Sequence, residues 1–277
     1  VRLPYAEVIG DPIAQSKSPL IHKHWLKVLG LEGDYARAHV TADGLADYIA
    51  GRRKDPDWRG CNVTMPHKQA IMPLLDGLDP LAARIGAVNT VVRGPDGLLT
   101  GHNTDASGCF EPLVPMLRGP GKRTLVLGNG GAARAVLVAL ADAGQIVTLA
   151  ARNPAKAQAL LDELAPGPQH RVADLADYAQ GGDGSVDLVI NASPLGMVSN
   201  PPLAFDMRHM AADGVVYDIV TAPLHTQLLR DAQAAGLRTI DGLSMLIGQA
   251  AVAFAHFYGA PAPRDDGDSA LRACLTA

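Results

Sequence analysis

The sequence predicts an α/β protein in which a doubly wound parallel sheet accompanies a smaller α/β unit. Three observations point there. Short β-like runs alternate with helical periodicity along most of the chain. From about Gly121 that alternation becomes regular, the pattern that builds a parallel sheet with helices on its faces. Within the regular part, Thr124–Gly144 (TLVLGNGGAARAVLVALADAG) reads as strand, glycine turn and helix in succession. A length of 277 residues leaves room for two domains of ordinary size.

Composition narrows the function classes. Apolar residues make up 48% of the chain and charged residues 19%, the balance of a globular protein and not of a disordered one. With 24 Lys and Arg against 28 Asp and Glu, the formal charge is -4, so no broad basic face is expected to collect nucleic acid. Apolar stretches such as Ala135–Ala141 fall far short of the roughly 20 residues that cross a bilayer. Glu7 and Asp11 come early, and the basic-then-apolar order of a signal peptide is missing. A cytoplasmic location is therefore expected, with a small-molecule substrate and a homodimer as the partners to consider. Cys61, Cys109 and Cys274 form no CxxC pair and complete no zinc-like spacing, so buried or incidental thiols and no metal are expected.

In order, the first third offers a strand at Tyr5–Gly10, a helix from about Pro19, a strand in DYARAHV, and a helix over Ala42–Arg53. Strands follow at Cys61–Thr64 and Ala87–Arg93, with Pro and Gly at the joints. The later part supplies the strands RTLVLG, QIVTLA, VDLVIN and GVVYDI, separated by helical stretches rich in Ala and Leu. A last helix is read over Leu243–Phe257.

The glycine turn carries the first chemical signal. Gly128, Gly130 and Ala133 fill the GxGxxG/A pattern, which serves a tight turn, close approach of backbone to a pyrophosphate, and close packing of helix on strand. Asn129, Gly131 and Ala132 complete the turn, and the helix starting near Gly131 aims free N–H groups and a positive dipole end at phosphates. This is the mark of a Rossmann-type domain. An NAD site would place an acid at the end of the next strand to meet the ribose hydroxyl. Here that strand ends in Ala151, Arg152 and Asn153, with Lys156 one turn later, a set suited to the 2′-phosphate of NADP. Solvated charges at a helix start are the alternative. NASPLGM, Asn191–Met197, follows a strand at the sheet's carboxyl edge, where its small residues suit a backbone lying against a nicotinamide.

Oxidoreduction of an alcohol by hydride transfer also requires a group that moves the hydroxyl proton. Polar residues gather in SKS (Ser16–Ser18), NVTMPHK (Asn62–Lys68), the Asn-Thr pair at Asn89, and GHNTD (Gly101–Asp105). Each also has an ordinary reading: Ser16 and Ser18 before Pro19 as helix caps, Lys68 as a solvated helix-start residue, Asp105 as a cap of the helix after it.

GDPIAQSKSP, NVTMPHK, AVNT, GHNTD, GNGGAARA, NASPLGM and GLSMLIGQ, in this order from about Val8 to Gly259, give the chain a pattern that resembles the shikimate dehydrogenase family. The resemblance implies that Lys68 transfers the proton and pairs with Asp105. It implies that Ser16 and Ser18 bind a carboxylate, and that Thr64, Asn89, Asp105 and Gln249 bind ring hydroxyls. It brings Ile219 and Gly242 to the cofactor, and returns the last helix, with Gln249, to the first domain. The implied layout is a substrate domain of residues 1–106 completed by 243–277, with an NADP domain of residues 107–242 between. The implied reaction is reversible, NADPH-dependent reduction of 3-dehydroshikimate to shikimate, on the route to aromatic amino acids. A relative acting on quinate or an aminated analogue, or an idle NADP-binding sensor, is the competing reading; loss of Lys68 or Asp105 would mark the sensor, and both are present. The chain departs from the family pattern at Gln15, where His often stands, at Asn129 for Ala, at Ala106 for Gly, and at Thr221, where the family usually has Tyr near the substrate.

Overall fold

The computed structural model describes residues 3–117 and 119–276 and divides into two compact units, Val1–Thr104 with Ile247–Ala277, and Asp105–Leu246. Both chain ends thus contribute to the first unit. Its elements are β1 (Tyr5–Gly10), α1 (Ser18–Leu29), β2 (Asp34–His39), α2 (Leu45–Arg53), β3 (Trp58–Val63), β4 (Gly77–Leu78), α3 (Pro80–Ile85), β5 (Thr90–Arg93) and β6 (Leu99–His102). In the second unit follow α4 (Asp105–Phe110), β7 (Arg123–Leu127), α5 (Gly131–Asp142), β8 (Ile146–Ala151), α6 (Pro154–Leu164), β9 (Arg171–Asp174), β10 (Val186–Asn191), β11 (Met210–Asp218), α7 (Gln227–Ala234) and β12 (Arg238–Ile240). The chain then enters α8 (Gly242–Tyr258) and closes with α9 (Ser269–Thr276).

The first sheet runs β2-β1-β3-β5-β6-β4, with β1 parallel to β2 and β3, and β5 antiparallel to β3 and β6. One apolar cluster, with Trp58, Cys61 and Ile71 at its centre, packs α2 and the following loops. A second joins Ala6, Val8 and Tyr35 to Ala253 and Phe257 of α8. Helix ends follow local chemistry. Pro19 sits in the first turn of α1, where its missing N–H costs nothing, and Gly30 ends the helix at φ +63°. Asp79 caps α3 by accepting from the Leu81 and Ala82 amides.

The second sheet is parallel throughout, in the order β12-β11-β10-β7-β8-β9. Counted from β7 as first strand, this is the 3-2-1-4-5-6 order of a doubly wound dinucleotide domain, which reverses between β7 and β10. Leu125, Val126 and Leu127 are buried, as strands covered on both faces must be. The fold class read from sequence is therefore the fold observed.

Several boundaries differ from the sequence reading. The helix expected from Ala42 begins at Leu45, because residues 42–44 form a turn. The strand expected over Cys61–Thr64 occupies Trp58–Val63, and that expected from Ala87 begins at Thr90. β4, β6, β9 and β12 are additional strands, of two to four residues each, too short to show a period. Ser16 and Ser18 are not helix caps: Lys17 occupies that position and no side chain caps the helix.

Candidate active site

In the first unit most of the predicted residues lie on loops and at the ends of elements, whereas Gln249 lies within α8. Ser16 and Ser18 face each other just before and at the start of α1, with Oγ to Oγ 3.3 Å and the Ser18 amide donating to Ser16 Oγ at 3.3 Å. The carbonyl of Ser16 accepts from Arg37 Nε at 2.8 Å, which ties this loop to β2. Thr64 follows β3, its amide donating to Ile9 O at 3.0 Å, and Gly10 leaves room for its methyl, since a Cβ there would lie 2.5 Å away. Lys68 is half-buried on a turn rather than at a helix start, with its carbonyl accepting from the Val88 amide at 2.8 Å.

Asn89 and Gln249 are buried and belong to one hydrogen-bonded cluster. Asn89 Oδ1 accepts from the Thr104 amide at 2.7 Å, and Asn89 Nδ2 donates to Thr104 Oγ1 at 2.9 Å and to Gln249 Oε1 at 3.5 Å. Residues 160 positions apart in sequence thus meet, because α8 returns to this unit. Asp105, also buried, opens α4 in the second unit.

The second unit holds a cavity of about 320 Å³ at the carboxyl ends of its strands. Gly128, Asn129 and Gly130 line one side, and Arg152, Asn153 and Lys156 another, with Ala151 at the end of β8 between them. Gly128 has φ +102°, and a Cβ there would stand 2.8 Å from that of Ser193, so only glycine lets the turn press on the next loop. Gly131 and Ala132 form the first turn of α5, whose N-terminal amides have no side-chain cap and remain available to an anion. Asn153 Oδ1 accepts from the Lys156 amide at 3.0 Å, capping α6. Arg152 and Lys156 are exposed and form no ion pair among the described residues. These features fit a dinucleotide carrying a 2′-phosphate.

Ile219 and Gly242 are not part of that lining but pack on each other, a Cβ on Gly242 falling 2.5 Å from Ile219 O. Thr221 is half-buried on the loop after β11. Sequence reasoning missed the residue that organises this edge. Asp218 accepts from Asn191 Nδ2 at 3.0 Å, from the Val220 amide at 3.0 Å and from Thr226 Oγ1 at 2.6 Å, tying the end of β10, the loop after β11 and the start of α7 together. Burial raises its carboxyl pKa, and the three donors oppose that shift. Sequence reasoning also missed Ser193, Pro194 and Leu195 as individual cavity residues, although the NASPLGM motif that contains them is a signal that points there. Cys61 and Cys109 are buried, which pushes both thiols up and leaves neither as a nucleophile at neutral pH. No cluster of three or more metal-ligating side chains occurs among the described residues, and no described helix is long and apolar enough to cross a membrane.

Comparison with known proteins adds four findings. Residues 8–91 match the shikimate dehydrogenase substrate binding domain. The chain is 55% identical over 276 residues, 99% of its length and 97% of the relative's, to shikimate dehydrogenase (NADP(+)) of Sphingopyxis alaskensis. Among solved structures, shikimate 5-dehydrogenase of Thermus thermophilus in complex with NADP(H) and shikimate is similar at 36% identity and TM-score 0.84, covering 98% of both chains. Quinate dehydrogenase of Corynebacterium glutamicum in complex with NAD is similar at 33% identity and TM-score 0.86, again covering 98% of both.

Proposed function

This chain belongs to the shikimate dehydrogenase family, and we propose that it catalyses the reversible NADP-dependent interconversion of 3-dehydroshikimate and shikimate. The observation that carries the reading is the 320 Å³ cavity of the second unit, where a glycine turn faces Arg152 and Lys156 with no acid at the end of β8. In a chain that matches an NADP-dependent shikimate dehydrogenase over 99% of its length, that cavity names the cofactor and the family names the ring acid.

Bound NADP would supply hydride exchange at the carbon that bears the reacting oxygen. The backbone of Gly128, Asn129, Gly130, Gly131 and Ala132 would hold the pyrophosphate by N–H donation and the dipole of α5. Ala151, Arg152, Asn153 and Lys156 would hold the 2′-phosphate. Since Asn153 Oδ1 is committed to the Lys156 amide, its contribution is the donor Nδ2. Ile219 and Gly242 would approach the nicotinamide end, as the family resemblance implies. Ser16 and Ser18 donate to the substrate carboxylate; Thr64, Asn89, Asp105, Thr221 and Gln249 read the ring hydroxyls. Lys68 is the catalytic acid and base: its ammonium gives a proton to the carbonyl oxygen in reduction, and its amine takes the hydroxyl proton in oxidation. Asp105 orients that ammonium and stabilises its charge. A cytoplasmic enzyme of aromatic precursor synthesis accords with this chemistry.

Thr221 favours one second reading, activity on quinate, because a short hydroxyl replaces a phenol near the ring acid. Steady-state assays with shikimate and quinate, each with NADP and NAD, separate the two. The expected result is highest kcat/KM for shikimate with NADP. Turnover of quinate with NAD alone would overturn both the substrate and the cofactor.

A further inference from the structure

The loop that opens α1 is held by two cations. Arg37 of β2 donates to the Ser16 carbonyl from Nε at 2.8 Å and from Nη2. Lys17, between the two serines, donates from Nζ to the Leu275 carbonyl at 2.7 Å. That carbonyl belongs to the last turn of α9, where backbone acceptors lack helical partners and a cation meets the negative end of the dipole. Helix α9 packs on α1, with Leu271 and Leu275 buried. The far end of the chain thus reaches the serine loop, 258 positions away in sequence.

The backbone of the loop is already fixed without them. The Ser16 amide donates to Ile13 O at 3.0 Å, the Ser18 amide to Ser16 Oγ at 3.3 Å, and the Lys17 carbonyl accepts from the Leu20 amide at 3.0 Å. What sets Lys17 and Arg37 apart is that their hydrogen bonds go to neutral carbonyls, for which an uncharged amide donor would serve equally. Neither forms an ion pair among the described residues. Asp11, just past β1, is engaged instead by the His39 ring at 2.8 Å. Two positive charges therefore stay uncompensated at the serine pair, one on the residue between the serines and one bonded to the first of them. Ser18 is buried and Lys17 half-buried, which weakens solvent screening of that field.

We infer that Lys17 and Arg37 are positioning residues which make this loop a carboxylate site. Ser16 and Ser18 touch the carboxylate, and the two cations supply the field that selects an anionic ring acid over its uncharged analogues. The inference rests on the functional reading above and deepens it, since it names the charge on the substrate as what this end of the site reads. It also gives α9 a part in substrate binding, as the seat on which the Lys17 ammonium is held beside the serines.

The test compares wild type with Lys17→Gln and Arg37→Gln, which keep a donor and remove the charge, and with Arg37→Lys, which keeps the charge. Read-outs at saturating NADP+ are KM for shikimate at low and at high salt, the dissociation constant of its uncharged methyl ester by calorimetry, kcat, and Tm. Each glutamine variant is expected to raise KM for shikimate about 3- to 10-fold at low salt, and the gap to wild type should close to about twofold at high salt, where ions screen the field. Affinity for the ester and kcat should stay within about twofold of wild type, as should KM for shikimate in Arg37→Lys. If the glutamine variants weaken acid and ester alike, the shape of the loop and not its charge is at stake, and the inference is wrong. It is equally wrong if Tm falls while KM for shikimate holds at both salt concentrations, or if Arg37→Lys is as weak as Arg37→Gln. Wild-type protein that turns over no shikimate, or that binds acid and ester equally, would instead strike the functional reading, and the inference with it.

Discussion

His22 lies wholly buried on α1 with its ring stacked on Tyr35, centroids 4.0 Å apart, and neither ring nitrogen has a hydrogen-bond partner among the described residues. Burial holds its pKa down at about 3. The unfolded chain binds a proton here below about pH 6.5, while the folded chain does not until about pH 3. Stability is thus complete above the unfolded value and falls as the pH drops through that window. His22→Phe keeps the stacked ring and removes the titration. In urea denaturation the variant should gain about 2 kcal/mol on wild type between about pH 7 and about pH 5; parallel pH curves would show that His22 is not the group responsible. Arg152 makes a second residue-scale prediction. As an exposed cation on the cofactor cavity it contributes little to folding. Arg152→Ala is expected to raise KM for NADP+ about tenfold with KM for NAD and Tm unchanged, and equal effects on both cofactors would contradict the 2′-phosphate assignment.

At the scale of elements, the turn from β7 to α5 separates two uses of glycine. Gly128 has φ +102° and abuts Ser193, so Gly128→Ala meets both backbone strain and a clash, a cost of about 1–3 kcal/mol. Gly130 has φ -85° and nothing within 4 Å of a Cβ, so the fold itself tolerates alanine there. Gly130→Ala should keep a near-native Tm while raising KM for NADP+, because the methyl occupies space the pyrophosphate needs; Gly128→Ala should lose Tm and cofactor together. A Gly130→Ala enzyme with native NADP+ affinity would place the phosphates elsewhere. This turn was legible in the sequence because its geometry admits few other residues. The strands β4, β9 and β12 were not, since elements of two to four residues carry no periodicity. Likewise Lys17, and neither Ser16 nor Ser18, stands at the cap of α1, for serine before proline fits a cap and a ligand loop alike.

Over the whole molecule, what the sequence concealed is what depends on distant residues meeting. The hydrogen-bonded cluster of Tyr35, Asn62, Thr90, Asn89, Thr104 and Gln249 spans β2, β3, β5 and α8, and no local pattern joins Asn62 to Tyr35 or Asn89 to Gln249. Asp218 escaped notice for the same reason, its partners Asn191 and Thr226 arriving from the end of β10 and the N-cap of α7. Most of the motifs were legible because they stand at strand ends, where backbone geometry restricts composition; GLSMLIGQ, within α8, is the exception. The division into two units has a functional corollary: cofactor binding is assigned to residues of Asp105–Leu246, and proton transfer to Lys68 of the other unit. The two should separate in one variant. Lys68→Ala measured for turnover of shikimate with NADP+ and, in parallel, for NADP+ dissociation constant tests this most directly. The expected result is kcat at least ~100-fold lower with NADP+ binding within about twofold of wild type; near-normal turnover in that variant would show that Lys68 does not move the proton.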